Sequence, residues 1–418
     1  MKHRMRLIIA AAALALVAAG CGGGDGASEG EGGTLRYAYW GPNQTQAMEK
    51  IAAEFEKENP GVDVQLELTP FKQYFTKLQT ATTGGQAPDV FWINAPNFPQ
   101  YAANDKLLSQ NDLNIDAGKY PKAVVDLYKW DGEQVAYPKD FDTIGLWYNK
   151  ALFAAKGVAV PTKDWTWDDV VTAAQKLTDP AKGVYGIAAK LDPQIWLYNV
   201  VPQGGGEVIN ADHNKSSYGS EGSIRALQWS ADLINKHKVS PNLGQMTETD
   251  PRQMFQSGKV AMIFEGSFAA VELHKNPYTR KNADVTTLPA GPAGEHSVIH
   301  GVGQAISADT KHEDEAKKFV EFMVGERAAT IQGETGVTLP GLASGQQLWL
   351  KSMPEFNLQA FIDMIPTTYS YPTSLNAPEW GELQINMLKD VWTGARPAAQ
   401  VAPELEQAMN EVLAKEKR

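Results

Sequence analysis

The chain of 418 residues has one cysteine, Cys21, and seven histidines. A single thiol cannot close an internal disulfide, so a life outside the cytoplasm has to rest on core packing alone. Positive charge is also scarce: 38 Lys and Arg stand against 49 Asp and Glu, a net of −11. Phosphate binding needs a clustered excess of cations, and no long basic block follows residue 6, which argues against a nucleic-acid partner. No apolar run reaches spanning length; the one candidate, residues 7–20, is short of the about 20 residues a bilayer requires. His3, His213, His237, His274, His296, His300 and His312 are dispersed. The pair at 296 and 300 lies in a Ser-Val-Ile stretch that reads as strand or loop, so no shared helix face offers a metal site. Gly204-Gly205-Gly206 has no following lysine, and neither a Walker A nor a Ser-elbow motif occurs, so no metal or cofactor is expected. What remains is the composition of a packed globular protein, 43% hydrophobic and 21% charged, long enough for two or three domains.

The N-terminus reads as an address. Lys2, Arg4 and Arg6 precede the uncharged residues 7–20, the layout of a secretory signal peptide. Val17-Ala18-Ala19-Gly20-Cys21 resembles a bacterial lipobox, with Ala18 where Leu is usual; an ordinary cleaved signal peptide with a free Cys is the alternative. Residues 1–20 are therefore read as a lipoprotein signal peptide and 21–33 as a lipidated Cys21 with a Gly-rich tether. The tether would span roughly 20 Å as a flexible coil. Two acyl chains give stable anchoring where one is marginal. Removal of Lys2, Arg4 and Arg6 takes away no acidic residue and leaves the mature chain at −14.

In the body, Leu35, Tyr37 and Tyr39 alternate as a strand requires, and Ala47, Met48, Ile51, Ala52 and Phe55 take helical spacing up to Asn59-Pro60-Gly61. Val62, Val64, Leu66 and Leu68 alternate again, Phe71, Tyr74, Phe75 and Leu78 return to a helix, and residues 90–93 form a short apolar strand. Strand, helix, strand, helix, strand is the pattern of a parallel α/β sheet, whose ligands sit at the strands' carboxyl ends. Further on, residues 143–148 and 259–264 read as strands, and 167–177, 223–234 and 313–323 as helices, the first capped by Asp164 or Thr166. The tail from 381 to 415 reads as helical with a break at Gly394 and Pro397.

Five local motifs then fall in a recognisable order. They are Pro60-Gly61-Val62-Asp63-Val64 with Gly84 to Val90; Tyr137 to Thr143 running into Leu146 to Lys150; Gly258 to Ser267; Leu288 to Pro292; and Gly301 into the 313–323 helix. In this order they resemble extracellular sugar-binding proteins that serve ABC importers, solute-binding protein family 1, the maltose-binding-protein-like group. The resemblance implies a periplasmic-binding-protein type II fold: two α/β lobes, multiple crossing segments and an interlobe ligand cleft. It implies a first lobe of 34–140 plus 301–345 and a second of 141–300 plus 346–418, with crossings near 139–143, 298–303 and 343–350. Its implied partners are a carbohydrate ligand, expected to be an oligosaccharide, and separate ABC permease subunits, with the chain expected to be a monomer and not an enzyme.

A sugar presents C–H faces and hydroxyls that donate and accept, so a matching site needs flat aromatic walls and planar carboxylates or amides. Tyr39 and Trp40 end the first strand before the turn containing Asn43, and Trp92 and Asn94 end the third. Gln194 and Trp196 precede the triple-glycine loop, and Glu265, Gly266, Ser267 and Phe268 follow the 259–264 strand. By the resemblance, Asp142 with Asp140 beside it falls at a hydroxyl-binding position, His300 and Gly301 lie on the return crossing, and Trp380 matches a stacking tryptophan. Each aromatic has packing as its alternative, and each acid a cap or an ion pair. Asp89, Trp165 and Trp167 read as structural. Competing functions are a binding protein for another polar solute (polyol, glycerol phosphate or peptide) and, further off, a glycoside hydrolase, which needs two carboxylates flanking the bond. An anionic ligand would want clustered Arg, but Arg36, Arg225, Arg252, Arg280 and Arg396 are scattered.

Overall fold

A computed structural model describes residues 33–416. The segments read from the sequence as a signal peptide and, up to residue 32, a tether, with Cys21 between them, lie outside the described residues. Among those described, no helix is long and apolar enough to cross a membrane.

Strand β1 (Thr34–Tyr39) leads through a short turn into α1 (Thr45–Glu58), whose buried Ala47, Met48, Ile51, Ala52 and Phe55 form one stripe. β2 (Asp63–Leu68) pairs parallel to β1 with Thr34 opposite Asp63, and α2 (Phe71–Thr83) returns the chain to β3 (Val90–Ile93), parallel on the other side of β1. The apolar run of β3 is buried on both faces, as a central strand of a covered sheet must be. Two later strands extend this sheet: Gly303–Ile306 runs antiparallel beside β3, and Ala136–Pro138 pairs antiparallel with that strand in turn, so it runs in the direction of β1–β3. The sheet is thus mixed where the sequence pattern predicts a parallel one, because both added strands arrive from the crossings rather than from local strand–helix–strand units.

The second sheet is antiparallel, with Ile144–Asn149 between Ala283–Thr286 and Met262–Gly266. The strand expected over 259–264 begins instead at Met262 and runs to Gly266. Helix Trp167–Leu177 starts at Thr166, whose hydroxyl and the Asp169 carboxylate form a reciprocal capping box; Asp164 takes no part. Helix Glu221–Asn235 is capped by Ser220. The tail is two helices, Ala377–Trp392 and Ala398–Leu413, broken at Gly394 (φ 74°) and Pro397.

Two hydrophobic cores result. One joins β1, β2, β3 and their helices to residues on 305–342; the other gathers residues from 141 to 299 with Trp349 and the tail helices. The chain passes between them on Asp140–Phe141, which pairs antiparallel with Leu339–Pro340, and on the neighbouring bridge between Asp142 and His300. The Asp142 N–H donates to the His300 carbonyl at 2.7 Å and is answered at 3.2 Å. Strand ends of the first sheet and the turn after Met262–Gly266 therefore meet where the crossings run.

Candidate functional site

A cavity of about 240 Å³ lies at this meeting point, lined from the first core by Trp40, Gln44, Phe71 and Asn94. The crossings contribute Asp140, Asp142, His300, Val302 and Thr338, and the second core contributes Gln194 and Phe268. Local chain logic explains the placement. Trp40 leaves the carboxyl end of β1, Phe71 opens α2 just beyond β2, Asn94 follows β3, and Phe268 follows the Met262–Gly266 strand. Trp40 is half-buried in an aromatic nest: edge-on to Trp92 at 5.0 Å, and 5.0, 5.6 and 5.7 Å from Tyr74, Phe75 and Phe71. Phe71 is 55% exposed and presents its ring to the cavity among the lining side chains. Phe268 is half-buried, with the Arg252 guanidinium 5.8 Å from its ring centre.

The polar groups are tied to one another. Gln194 Nε2 donates to Asp142 Oδ1 at 2.7 Å, and His300 Nδ1 lies 3.3 Å from Asp142 Oδ2. The Ala95 N–H points at His300 Nε2 at 3.4 Å, so Nδ1 carries the hydrogen that Asp142 accepts. Burial pushes the Asp142 carboxyl above the usual Asp range, and the His300 contact works against that rise. Asp140 Oδ1 accepts from Val302 N at 3.0 Å; its Oδ2 accepts from the Thr338 hydroxyl at 2.7 Å and from the Lys139 ammonium.

A second hollow of about 600 Å³ adjoins the first, lined by Pro96, Asn97, Pro193, Tyr198, Tyr371 and the start of helix Ala377–Trp392. Pro193 precedes Gln194, Asn97 Nδ2 donates to Asn94 Oδ1 at 2.7 Å, and the Tyr371 ring sits 5.2 Å from that of His300. The two hollows lie side by side, lined by neighbouring residues of the same segments, and the larger falls within the ~300–1,000 Å³ range of small-molecule sites.

Seven residues singled out from the sequence come together here: Trp40, Asn94, Asp140, Asp142, Gln194, Phe268 and His300. Others do not reach the cavity. Tyr39 is 1% exposed, its hydroxyl donating to Thr45 Oγ1, and Trp92 is sealed beneath Trp40 with its Nε1 on Tyr37. Trp196 is fully buried in a column of rings with Trp229 and Phe264, its Nε1 donating to Ser230 Oγ at 2.9 Å. Glu265 Oε2 pairs with Arg252 Nε at 2.9 Å, while its Oε1 accepts from Gly266 N. Gly266 makes room for Phe268: a Cβ there would lie 2.1 Å from the ring. The Ser267 hydroxyl is buried without a partner, and Asn43 faces outward. Gly301 packs on the first crossing, where a Cβ would lie 2.4 Å from the Asp140 carbonyl. Trp380 borders the second hollow but is 1% exposed, with Nε1 donating to Ser374 Oγ at 2.8 Å. Both His300 nitrogens are engaged with protein groups, Nε2 facing the Ala95 N–H and Nδ1 the Asp142 carboxylate, which leaves neither free for a ligand hydroxyl. Gln44, Phe71 and Thr338 line the cavity without having been singled out; Phe71 was accessible to the same strand-end logic that found Trp40, whereas Thr338 depends on a crossing nearly two hundred residues away.

Two lobes flanking a cavity lined by aromatic rings and hydrogen-bonding groups define a two-lobed solute-binding protein. Residues 41–330 match the family model of bacterial extracellular solute-binding proteins, and the chain belongs to that family. It is similar to an ABC substrate-binding protein of Listeria monocytogenes solved in complex with cycloalternan, with TM-score 0.85 and 27% identity over 92% of this chain and 99% of that one. A diacetylchitobiose binding protein of Streptomyces coelicolor is 28% identical over 68% of this chain and 67% of its own length. An arabinooligosaccharide-binding protein of Halalkalibacterium halodurans is 26% identical over 67% and 65%, respectively. The family is one of extracellular binding proteins, and the fold is the two-lobed α/β architecture of periplasmic binding proteins.

Proposed function

We propose that this protein captures a carbohydrate, specifically an oligosaccharide, between its lobes and delivers it to the membrane subunits of an ABC importer, held at the membrane by lipid on Cys21. The observation that carries the reading is the cavity itself: Trp40 and Phe71 from one lobe and Phe268 from the other, with carboxylate, amide and hydroxyl groups between them. Aromatic faces suit pyranose C–H surfaces, and planar amides and carboxylates suit paired hydroxyls. The adjoining hollow gives length for more than one ring. The sugars bound by the relatives named above, cycloalternan, diacetylchitobiose and arabinooligosaccharide, are all oligosaccharides. An anionic solute fits poorly, since the residues lining the cavity include two acids and neither Lys nor Arg. Ligand touching both lobes favours the closed arrangement through its better contacts there, and that arrangement docks on the permease.

Thermal-shift screening of the lipid-free body against oligosaccharides, monosaccharides, polyols and short peptides tests the reading. Stabilisation by an oligosaccharide, recovered intact afterwards, is expected. Stabilisation by a peptide alone rejects it, and cleavage products growing with protein concentration would make the protein a hydrolase.

A further inference from the structure

Lys139 has no part in the cavity surface, yet it stands behind two residues that do. Its side chain is fully buried, and its three ammonium hydrogens are all used: on Gln44 Oε1 at 2.9 Å, on Asp140 Oδ2, and on Gln332 Oε1 at 3.4 Å. The same ammonium sits 4.5 Å from the centre of the Trp92 ring, the platform under Trp40. Such a cation has no hydrogen left for a ligand.

What it controls is the way its neighbours face. An ammonium only donates, so the side-chain oxygen of Gln44 must point back at Lys139. The Gln44 NH2 then turns the other way, and no group among the described residues accepts from it. The carboxylate of Asp142 dictates the reverse at Gln194: Nε2 is spent on Asp142, leaving the Gln194 oxygen as the free end of that amide. Asp140 is largely satisfied by Lys139, Thr338 and Val302. The two amides on facing lobes are therefore fixed with opposite polarity.

We propose that Lys139 is a specificity-determining positioning residue: by holding Gln44 Oε1 it makes the first-lobe wall a hydrogen-bond donor opposite the acceptor of Gln194. Ligand hydroxyls in the cavity then accept from Gln44 and donate to Gln194, and a group able only to donate is rejected at the Gln44 side. This rests on the carbohydrate reading of the cavity, so the test has one arm that uses no ligand.

In that arm the protein is labelled with nitrogen-15 at glutamine side chains, and the Gln44 amide is assigned by its loss in Gln44→Glu. The double variant Lys139→Met/Asp140→Asn removes the cation without stranding a buried carboxylate, and its thermal midpoint checks folding. The Gln44 amide signal is expected to move and broaden as the group becomes free to rotate; an unchanged signal overturns the proposal. In the second arm, diacetylchitobiose and cycloalternan are titrated by calorimetry. Gln44→Glu keeps a partner for Lys139 but shows the cavity only acceptors, so it serves even where the double variant does not fold. At least tenfold weaker binding of whichever of these sugars the wild type binds is expected in both variants, and unchanged affinity in Gln44→Glu overturns the specificity role. Failure of every sugar to bind wild type counts against the proposed function, while the amide signal still decides the orientation.

Discussion

Trp380→Ala separates packing from ligand contact most sharply. The indole is 1% exposed, belongs to the larger core, and donates from Nε1 to Ser374 Oγ at 2.8 Å. Removing a buried Trp costs about 3–5 kcal/mol, and the lost hydrogen bond adds about 1 kcal/mol. The adjoining hollow admits water to the space left behind, and Ser374 keeps its bond to Glu416, so the lower part of that range, roughly 3 kcal/mol, is expected. For a domain of 150–250 residues each kcal/mol moves the midpoint by about 2–4 °C, which puts the fall near 10 °C. Calorimetry and urea unfolding of the ligand-free body measure it, with Trp380→Phe as the variant that keeps most of the packing. A midpoint within about 2 °C of wild type, with the urea slope unchanged, would refute the burial reasoning and return Trp380 to the role of an exposed stacking wall.

Three further outcomes follow from the same structure. Arg252→Met leaves the buried Glu265 carboxylate without its cation and should cost about 3–5 kcal/mol in urea unfolding, most of it recovered on adding Glu265→Gln; a loss below about 1 kcal/mol would contradict the pairing. Because burial raises the Asp142 pKa, the folded state holds that proton more tightly than the unfolded chain, so the group favours folding in acid and loses that contribution as pH rises from about 4 through its folded value. Asp142→Asn should flatten the stability profile over that window, and an identical profile would show that Asp142 does not titrate there. The Arg280 guanidinium holds Glu355 down to about 2, so its contribution is present above about pH 4.3 and fades as pH falls toward 2; the pair is partly exposed, and Glu355→Gln should cost less than ~1 kcal/mol at neutral pH and nothing measurable at pH 2.

Local signals made parts of this fold legible before any tertiary contact was known. Val90–Ile93, Trp167–Leu177 and Glu313–Met323 fall where the apolar pattern puts them, because a cap, a proline or an acidic first turn bounds each segment. The break at Gly394 and Pro397 follows from backbone chemistry alone. The site was legible only in part. Strand ends announce Trp40 and Phe268, but whether a ring faces solvent depends on distant partners: Trp196 is closed off by Trp229 and Ser230, Trp92 by Trp40 and Tyr37. Glu265 looked available for a hydroxyl until Arg252, on another element, took its oxygen. Lys139 carries no local pattern, since its meaning arises only when Gln44 and Gln332 converge on it.

The central claim, that a carbohydrate is gripped between the lobes at this cavity, is tested most directly by isothermal titration of the oligosaccharide that gives the largest thermal shift, against wild type, Trp40→Ala and Phe268→Ala. Covering one indole face removes roughly a third of the 150–250 Å² an aromatic side chain buries, worth about 1.4 kcal/mol at ~25 cal/mol/Å², or tenfold in affinity. One sugar per protein is expected for wild type, with binding weakened about tenfold by a change on either lobe and both variants folded. Unchanged affinity in both variants, or binding of a peptide in place of any sugar, would contradict it.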